Sequence, residues 1–393
     1  MLQELINHNE DLRKLQNEGY ELEERGGYLI IHHIPYVANI NGKVEVKDDG
    51  AFVVKMNLSG NVLNKPFDHT AFLIGEYPCN IDGTHLVGVV NNSNRKDLGN
   101  GIIINHYLSN KPSGNIEVSY YEKVIRYESI ISRPAMVLNP NITAKTFKPM
   151  INSTTESPFK YIDTWSSRYD IQEINNKLKD EKVAIIGLGG TGSYILDFLS
   201  KTPVKEIHLF DGDKFCTHNA FRAPGAPSID RLNDSLDKVK YFANIYSNIR
   251  EGIIPHNVFI NEDNIDEILK NFDFVFICID NEVKRNLIVE YLALNKIPFI
   301  DTGIGLYVKD SKISGQIRTI YCFNDEYENI KQFIPQGEME NNEYKTNIQV
   351  AELNALNAIF AIIKWKQTKE FYCDLGPYFQ SVLSINDMIL VKS

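Results

Sequence analysis

One stretch constrains this chain more than any other: Lys182-Val-Ala-Ile-Ile-Gly-Leu-Gly-Gly-Thr-Gly-Ser193. The apolar run over 183–186 reads as a short buried strand. It breaks into Gly187, Gly189, Gly190 and Gly192, and apolar residues then recur at helical spacing over 194–199. Strand, glycine turn and helix make the opening of a nucleotide-binding βαβ unit. Glycines let backbone approach a phosphate closely, and a helix N-terminus offers free N–H groups and the positive end of a dipole.

Downstream, strand and helix patterns alternate. Strands are expected over 206–210, 252–260, 274–279 and 299–302, with helices over 235–249, 265–269 and 283–295. Two extra strands, over 315–323 and 378–391, flank a polar crossover at 324–346 and a helix at 347–366. The alternation implies an α/β fold, a Rossmann-like doubly wound, mainly parallel sheet, occupying 166–393. The first 132 residues differ. A charged amphipathic helix over 2–15 is followed by short strand-like runs at 28–31, 43–46, 52–58, 71–74, 86–90, 101–104 and 116–121, separated by Gly, Asn and Asp clusters such as Asn41-Gly42. This reads as a mostly β or α+β domain. Residues 133–165, with Pro134, Pro140, Pro149 and Pro158, have linker composition.

The formal net charge of −10 argues against a nucleic-acid binder, which would present a basic face. No apolar run reaches bilayer length, and the first ten residues lack the pattern of a signal peptide, so a cytoplasmic location and no membrane partner are expected. Cys79, Cys216, Cys278, Cys322 and Cys373 are widely spaced with no C-x-x-C pair, which excludes a disulfide framework or a four-cysteine zinc site as the expectation.

The glycines fit Gly-x-Gly-x-x-Gly, which would serve NAD, FAD or ATP alike. Asp211 or Asp213, closing the second strand, suits a ribose hydroxyl. The following loop is more telling. Asn219 and Arg222 are spaced along it, and Lys238 opens the next helix. A dinucleotide needs little positive charge; these groups suit a triphosphate. Asp280 follows the fourth strand, at the sheet edge where ligands of open parallel sheets bind, and a carboxylate there can hold Mg²⁺.

In this arrangement the half resembles the ThiF/MoeB family, the adenylation domain of ubiquitin-activating enzymes. The family's pattern is a Gly-x-Gly-Gly-x-Gly turn, Asp-x-Asp, Asn-x-x-Arg, a helix-opening Lys and an Asp-Asn pair. It falls here on Gly187, Gly189, Gly190 and Gly192, then Asp211 and Asp213, Asn219 and Arg222, Lys238, and Asp280 with Asn281. The resemblance implies that Asp213 meets the ATP ribose, that Asn219, Arg222 and Lys238 hold phosphates, and that Asp280 supports Mg²⁺ and the α-phosphate. Arg168 is the nearest match to an arginine that in the family reaches a partner subunit's ATP. The implied reaction is adenylation of the C-terminal carboxylate of a ubiquitin-like protein, with ATP and Mg²⁺ as cofactors. With stretches such as Ile34-Pro-Tyr-Val37, Asp68-His69 and Pro78-Cys79, the N-terminal half is similar to that of bacterial ThiF-type proteins from ubiquitin-like conjugation operons. That implies partner recruitment and a conjugating enzyme as a further partner, and the resemblance to the ThiF/MoeB family implies a homodimer.

Ubiquitin-activating relatives carry a catalytic cysteine in the crossover, and the crossover here has none. Cys322, Cys216 and Cys79 are the alternatives, with Cys79 read as a packed cysteine. The expectation is an acyl-adenylate without a marked thioester cysteine. Two rivals stay open: an NAD(P)-dependent oxidoreductase, which would leave Arg222 and Lys238 without a task, and a non-catalytic nucleotide-binding scaffold.

Overall fold

The computed structural model describes residues 2–112, 119–150, 157–169, 171–323, 326–334, 348–376 and 378–393. The chain divides into two compact units, one of Met1–Thr154 with Tyr161–Gln172 and one of Thr155–Lys160 with Glu173–Ser393.

The first unit is built on an antiparallel six-stranded sheet in the order Leu22–Arg25, Tyr28–Ile40, Lys43–Lys55, Thr70–Ile74, His106–Ser109, Val90–Asn92. Its spine is a hairpin of two 13-residue strands. Asn41 and Gly42 join them, both at positive φ, as a tight hairpin turn requires. The short runs expected at 28–31, 43–46 and 52–58 are pieces of these two strands. Lys47, Asp48 and Asp49 interrupt the apolar signal, and the pairing shifts register there, between Ile34↔Gly50 and Tyr36↔Lys47, so the strand continues through an irregularity.

Three expectations are corrected here. The single helix over 2–15 is two helices, Leu2–His8 and Glu10–Asn17. Buried Asn9 divides them: its amide donates to the carbonyls of Leu5 at 2.6 Å and Asn61 at 2.9 Å and accepts from Leu63 N–H at 2.6 Å. The expected strand over 116–121 lies partly outside the described residues, and its end is helix. Ser119 accepts from Glu122 N–H, capping a 19-residue helix, Tyr120–Leu138. The expected linker therefore opens inside this helix, with Pro134 in its interior. Residues 139–150 then lie against the same unit, where Ala144 and Met150 are buried.

The second unit holds an eight-stranded sheet in the order Ile253–His256, Glu206–Phe210, Lys182–Ile186, Phe274–Ile277, Phe299–Lys309, Lys312–Cys322, Gln380–Ser384, Leu390–Lys392. The first five are parallel and the last three antiparallel. Side chains alternate between two cores. Val183, Ile185, Phe274 and Phe276 pack with Ile195, Leu199, Phe242 and Trp365 on one face. Ala184, Ile186, Val275 and Ile277 pack with Leu269, Ile288 and Leu292 on the other. Burial on both faces is why these strands read as unbroken apolar runs.

Several bounds differ. The helix expected at 235–249 spans Lys238–Tyr246, the strand expected at 252–260 spans Ile253–His256, and the run at 378–391 is two strands with a turn between. The strand expected to stop at 302 continues to Lys309 and turns back through Asp310 and Ser311, both at positive φ. Gly303 and Gly305 lie within it. Of the crossover, residues 326–334 form the helix Tyr327–Ile330 and a 3-10 turn, Lys331–Phe333; the rest lies outside the described residues. Among the described residues, no helix is long and apolar enough to cross a membrane.

Candidate nucleotide site

The strand order reverses direction between Lys182–Ile186 and its neighbour Phe274–Ile277. The loops leaving these two strands therefore diverge, and a crevice opens at their carboxyl ends. The glycine turn fills one side. Gly187 has φ +89, and a Cβ there would lie 2.7 Å from the Cys278 carbonyl oxygen. A Cβ on Gly192 would lie 1.9 Å from the Gly187 carbonyl oxygen, so only glycine lets the helix Gly190–Ser200 start this close to the strand. Gly189 is different. Its Cβ position is open, with Gln349 Oε1 nearest at 3.9 Å. The turn therefore has a packed side and an open side.

Asp211 clamps the turn. It is buried at the end of Glu206–Phe210, and its Oδ2 accepts the Leu188 N–H at 2.7 Å while Oδ1 accepts the Asp213 N–H at 2.8 Å. Lys238, at the first position of its helix and also buried, places Nζ 2.7 Å from Asp213 Oδ2 and 3.5 Å from Asp211 Oδ2. Asp213 itself is largely exposed. Lys238 is thus held between two carboxylates beside the turn and does not extend into solvent.

Asn219 sits on the short helix Thr217–Ala220. Its Oδ1 accepts from Cys216 N–H at 2.8 Å, and its Nδ2 is buried with no hydrogen-bond acceptor. Arg222 is half-buried, and its Nε is likewise buried without an acceptor. The Arg222 carbonyl accepts from Asn354 Nδ2 at 3.3 Å, and Asn354 Oδ1 accepts from the Thr191 hydroxyl at 3.2 Å. The loop carrying Arg222 is thereby tied to the glycine turn.

Asp280 is exposed on the loop after Phe274–Ile277, and that loop touches the turn where Ile279 Cγ2 meets the Gly187 Cβ position. Asn281 caps the helix Glu282–Leu294, its Oδ1 accepting from Lys284 N–H at 3.0 Å. Behind this loop lies a buried ionic group. Asp301 pairs with Arg318 at 2.7 Å and Arg285 at 3.1 Å, and Arg285 also donates to the Ile279 carbonyl. The Arg285 contact with Asp301 is a charge pair without hydrogen-bond geometry. Burial lowers the Arg318 pKa, and Asp301 opposes the shift.

Asp211, Asp213, Asn219, Arg222, Lys238, Asp280 and Asn281 lie on the loops and helix starts that follow the parallel strands, and Arg168 is expected only at a partner subunit's ATP. Arg168 is exposed at the end of the helix Thr164–Arg168 in the first unit. The sequence reading missed Thr191, Gln349, Asn354, Asp301 and Arg318. One signal was available: Asn354 and Asn357 interrupt an otherwise apolar helical run at 353–363. The cysteines divide by burial. Cys322 is buried at the end of its strand and its thiol is pushed up to about 12 by burial. Cys79 is buried, raised by burial, and donates to the Tyr77 carbonyl at 3.3 Å. Cys216 is exposed at the start of the Asn219 helix.

A model of the ThiF family matches residues 162–382. The chain belongs to the ThiF family. A second model, a domain of unknown function (DUF6791), matches residues 10–164. Among curated relatives, the molybdopterin-synthase adenylyltransferase of Escherichia coli is 26% identical over 155 residues, 38% of this chain and 56% of that protein. Ubiquitin-like modifier-activating enzyme 5 of Drosophila mojavensis is 28% identical over 167 residues, 39% of this chain and 40% of that protein. This ThiF-family chain spans about half the length of the curated relatives it matches. A crystal structure of E. coli MccB with ATP aligns at a TM-score of 0.46 and 18% identity, covering 58% of this chain and 69% of that one.

Proposed function

We propose that this ThiF-family protein is an ATP-dependent adenylyltransferase that activates the C-terminal carboxylate of a ubiquitin-like protein on a Rossmann-like sheet. One observation carries the reading. Asn219 Nδ2 and the Arg222 Nε, the latter on a loop bonded to the glycine turn, are buried donors with no acceptor. Leaving such donors unmet costs about 1–3 kcal/mol each. A polyphosphate would supply the acceptors. The names of the relatives, an adenylyltransferase and a ubiquitin-like modifier-activating enzyme, support the same class.

In this reaction a carboxylate oxygen attacks the α-phosphorus of ATP. The new P–O bond forms as the bond to the bridging oxygen breaks, and pyrophosphate leaves with the electron pair. The nucleophile is already ionised at neutral pH, so no general base is required. The protein's work is positioning and charge stabilisation. In this reading Arg222 and Asn219 supply donors to the phosphates, and Asp213 meets the ribose. Lys238 exchanges part of its pairing with Asp213 for phosphate oxygens.

Among the described residues no group of three or more His, Cys, Asp or Glu could hold a metal by itself. The exposed carboxylate of Asp280 fits Mg²⁺ in the way that ion is commonly held, by one or two carboxylates with phosphate oxygens. Bound there, Mg²⁺ would offset phosphate charge.

Thermal shift of the full chain with Mg-ATP and with NAD tests the reading. Stabilisation by Mg-ATP and not by NAD is expected. Stabilisation by NAD alone would return the oxidoreductase reading.

A further inference from the structure

The helix Ala351–Thr368 carries two fully buried asparagines one turn apart, Asn354 and Asn357. Asparagine is a poor helix former, and a buried amide must find partners. Both residues do, and the partners differ in kind. Asn357 Nδ2 donates to the Gly303 carbonyl at 3.1 Å, and its Oδ1 accepts from the Thr319 hydroxyl at 2.9 Å. Those partners lie within the sheet, so Asn357 ties helix to strands. Asn354 has both its partners at the nucleotide site. Thr191 belongs to the glycine turn, and the Arg222 carbonyl belongs to the loop that brings the second set of phosphate donors. Asn354 also presses on the turn, since a Cβ at Gly190 would lie 2.0 Å from its Nδ2.

We propose that Asn354 is a positioning residue that sets the distance between Arg222 and the glycine turn, so that both face one polyphosphate. The inference rests on the adenylyltransferase reading above. The loop from Asp211 to Asp237 contains only the short helices Thr217–Ala220 and Ile229–Asn233. Such a loop has little rigidity of its own. Asn219 is held locally, through Cys216, and the Arg222 N–H bonds to the Asn219 carbonyl at 3.1 Å. The bond from Asn354 to the Arg222 carbonyl links this local structure to the turn. Misplacing a catalytic or binding group by about 1 Å is enough to lose about 100-fold in rate, so this link is functional even though Asn354 need not touch the nucleotide. Gln349, just before the same helix, reaches the turn as well: its Oε1 accepts from Gly190 N–H at 3.4 Å.

The test is a double-mutant cycle on the full chain, read by calorimetric titration with Mg-ATP and, separately, with adenosine. Asn354→Ala is expected to weaken Mg-ATP binding about tenfold and leave adenosine binding unchanged. Arg222→Ala should weaken Mg-ATP at least as much, and adding Asn354→Ala to it should cost nothing more, because the two act as one unit. Thr191→Val removes the other end of the tie with little change in volume. It covers the case in which Asn354→Ala folds poorly, and it should reproduce the ATP-selective loss. Additive losses in the cycle, or equal losses for Mg-ATP and adenosine, would overturn the positioning role while leaving the adenylyltransferase reading standing. Failure of the unaltered protein to bind Mg-ATP would overturn both.

Discussion

Gly189 and Gly192 lie three residues apart in one turn, and the geometry assigns them opposite fates on replacement by alanine. At Gly192 the new methyl carbon would sit 1.9 Å from the Gly187 carbonyl oxygen and 3.2 Å from Cys278 Cβ. Neither obstacle is the end of a flexible side chain, so the strand and the helix must part by more than 1 Å. Overpacking of that kind costs about 1–3 kcal/mol. For a unit of this size that corresponds to a fall of roughly 2–12 °C in melting temperature. At Gly189 φ is −71, and among the described residues the nearest atom to the new methyl is Gln349 Oε1 at 3.9 Å, an ordinary van der Waals contact. The methyl displaces no described atom, so the melting temperature should stay within about 2 °C. The space it enters lies beside the first N–H groups of the helix Gly190–Ser200, where the account puts a phosphate. Mg-ATP affinity should therefore fall at least about tenfold in Gly189→Ala. Differential scanning fluorimetry and calorimetric titration on the two variants read both quantities. A stable Gly189→Ala protein that binds Mg-ATP as tightly as the unaltered chain would refute the placement of phosphate on the open side of the turn.

Asp211→Asn should lower stability by about 2–3 kcal/mol, since the amide can no longer accept from both the Leu188 and Asp213 N–H groups and face Lys238 with charge; urea unfolding checks it, and an unchanged midpoint would count against the clamp. Iodoacetamide at pH 8 followed by mass spectrometry should label Cys216 and Cys373 well before Cys322 and Cys79. The latter pair are buried with raised thiol pKa values, and fast labelling of Cys322 would reopen it as a thioester site. His208 and His256 face each other at 2.9 Å, and burial lowers the pKa of each below 6.5. The unfolded chain binds protons first as pH falls below 6.5. The stability these rings contribute is present above that value and is lost as pH falls through their lowered pKa values, by at most about 1.4 kcal/mol per pH unit per ring. His256→Gln should flatten the acid limb of a melting-temperature profile, and an unchanged limb would show that the pair does not titrate there.

The parts of the fold that the residues announced are those where both faces of a strand are buried. The runs at 183–186 and 274–277 are apolar throughout because both of their faces are buried, so the pattern alone placed them. The long hairpin of the first unit was fragmented for the opposite reason: residues 43–49 are exposed or half-buried at every position, and Lys47, Asp48 and Asp49 look like loop. The helix from Tyr120 was missed because residues 116–121 read as a strand and Pro134 as linker composition, although the Ser119-x-x-Glu122 start signal was present. At the candidate site, charged and glycine residues stood out by type and spacing. Asn354 and Asp301 did not, because their importance comes from contacts distant in sequence: Asn354 with Thr191, 163 residues away, and Asp301 with Arg318 across a hairpin.

The proposed reaction is attack at the innermost phosphorus of ATP by a protein carboxylate. Exchange of labelled pyrophosphate into ATP measures that step directly, using the full chain, Mg-ATP and a ubiquitin-like protein ending in glycine. Exchange is predicted with the free C-terminal carboxylate and not with the same protein amidated at its C-terminus. Exchange that ignores amidation, or release of phosphate in place of pyrophosphate, would contradict it.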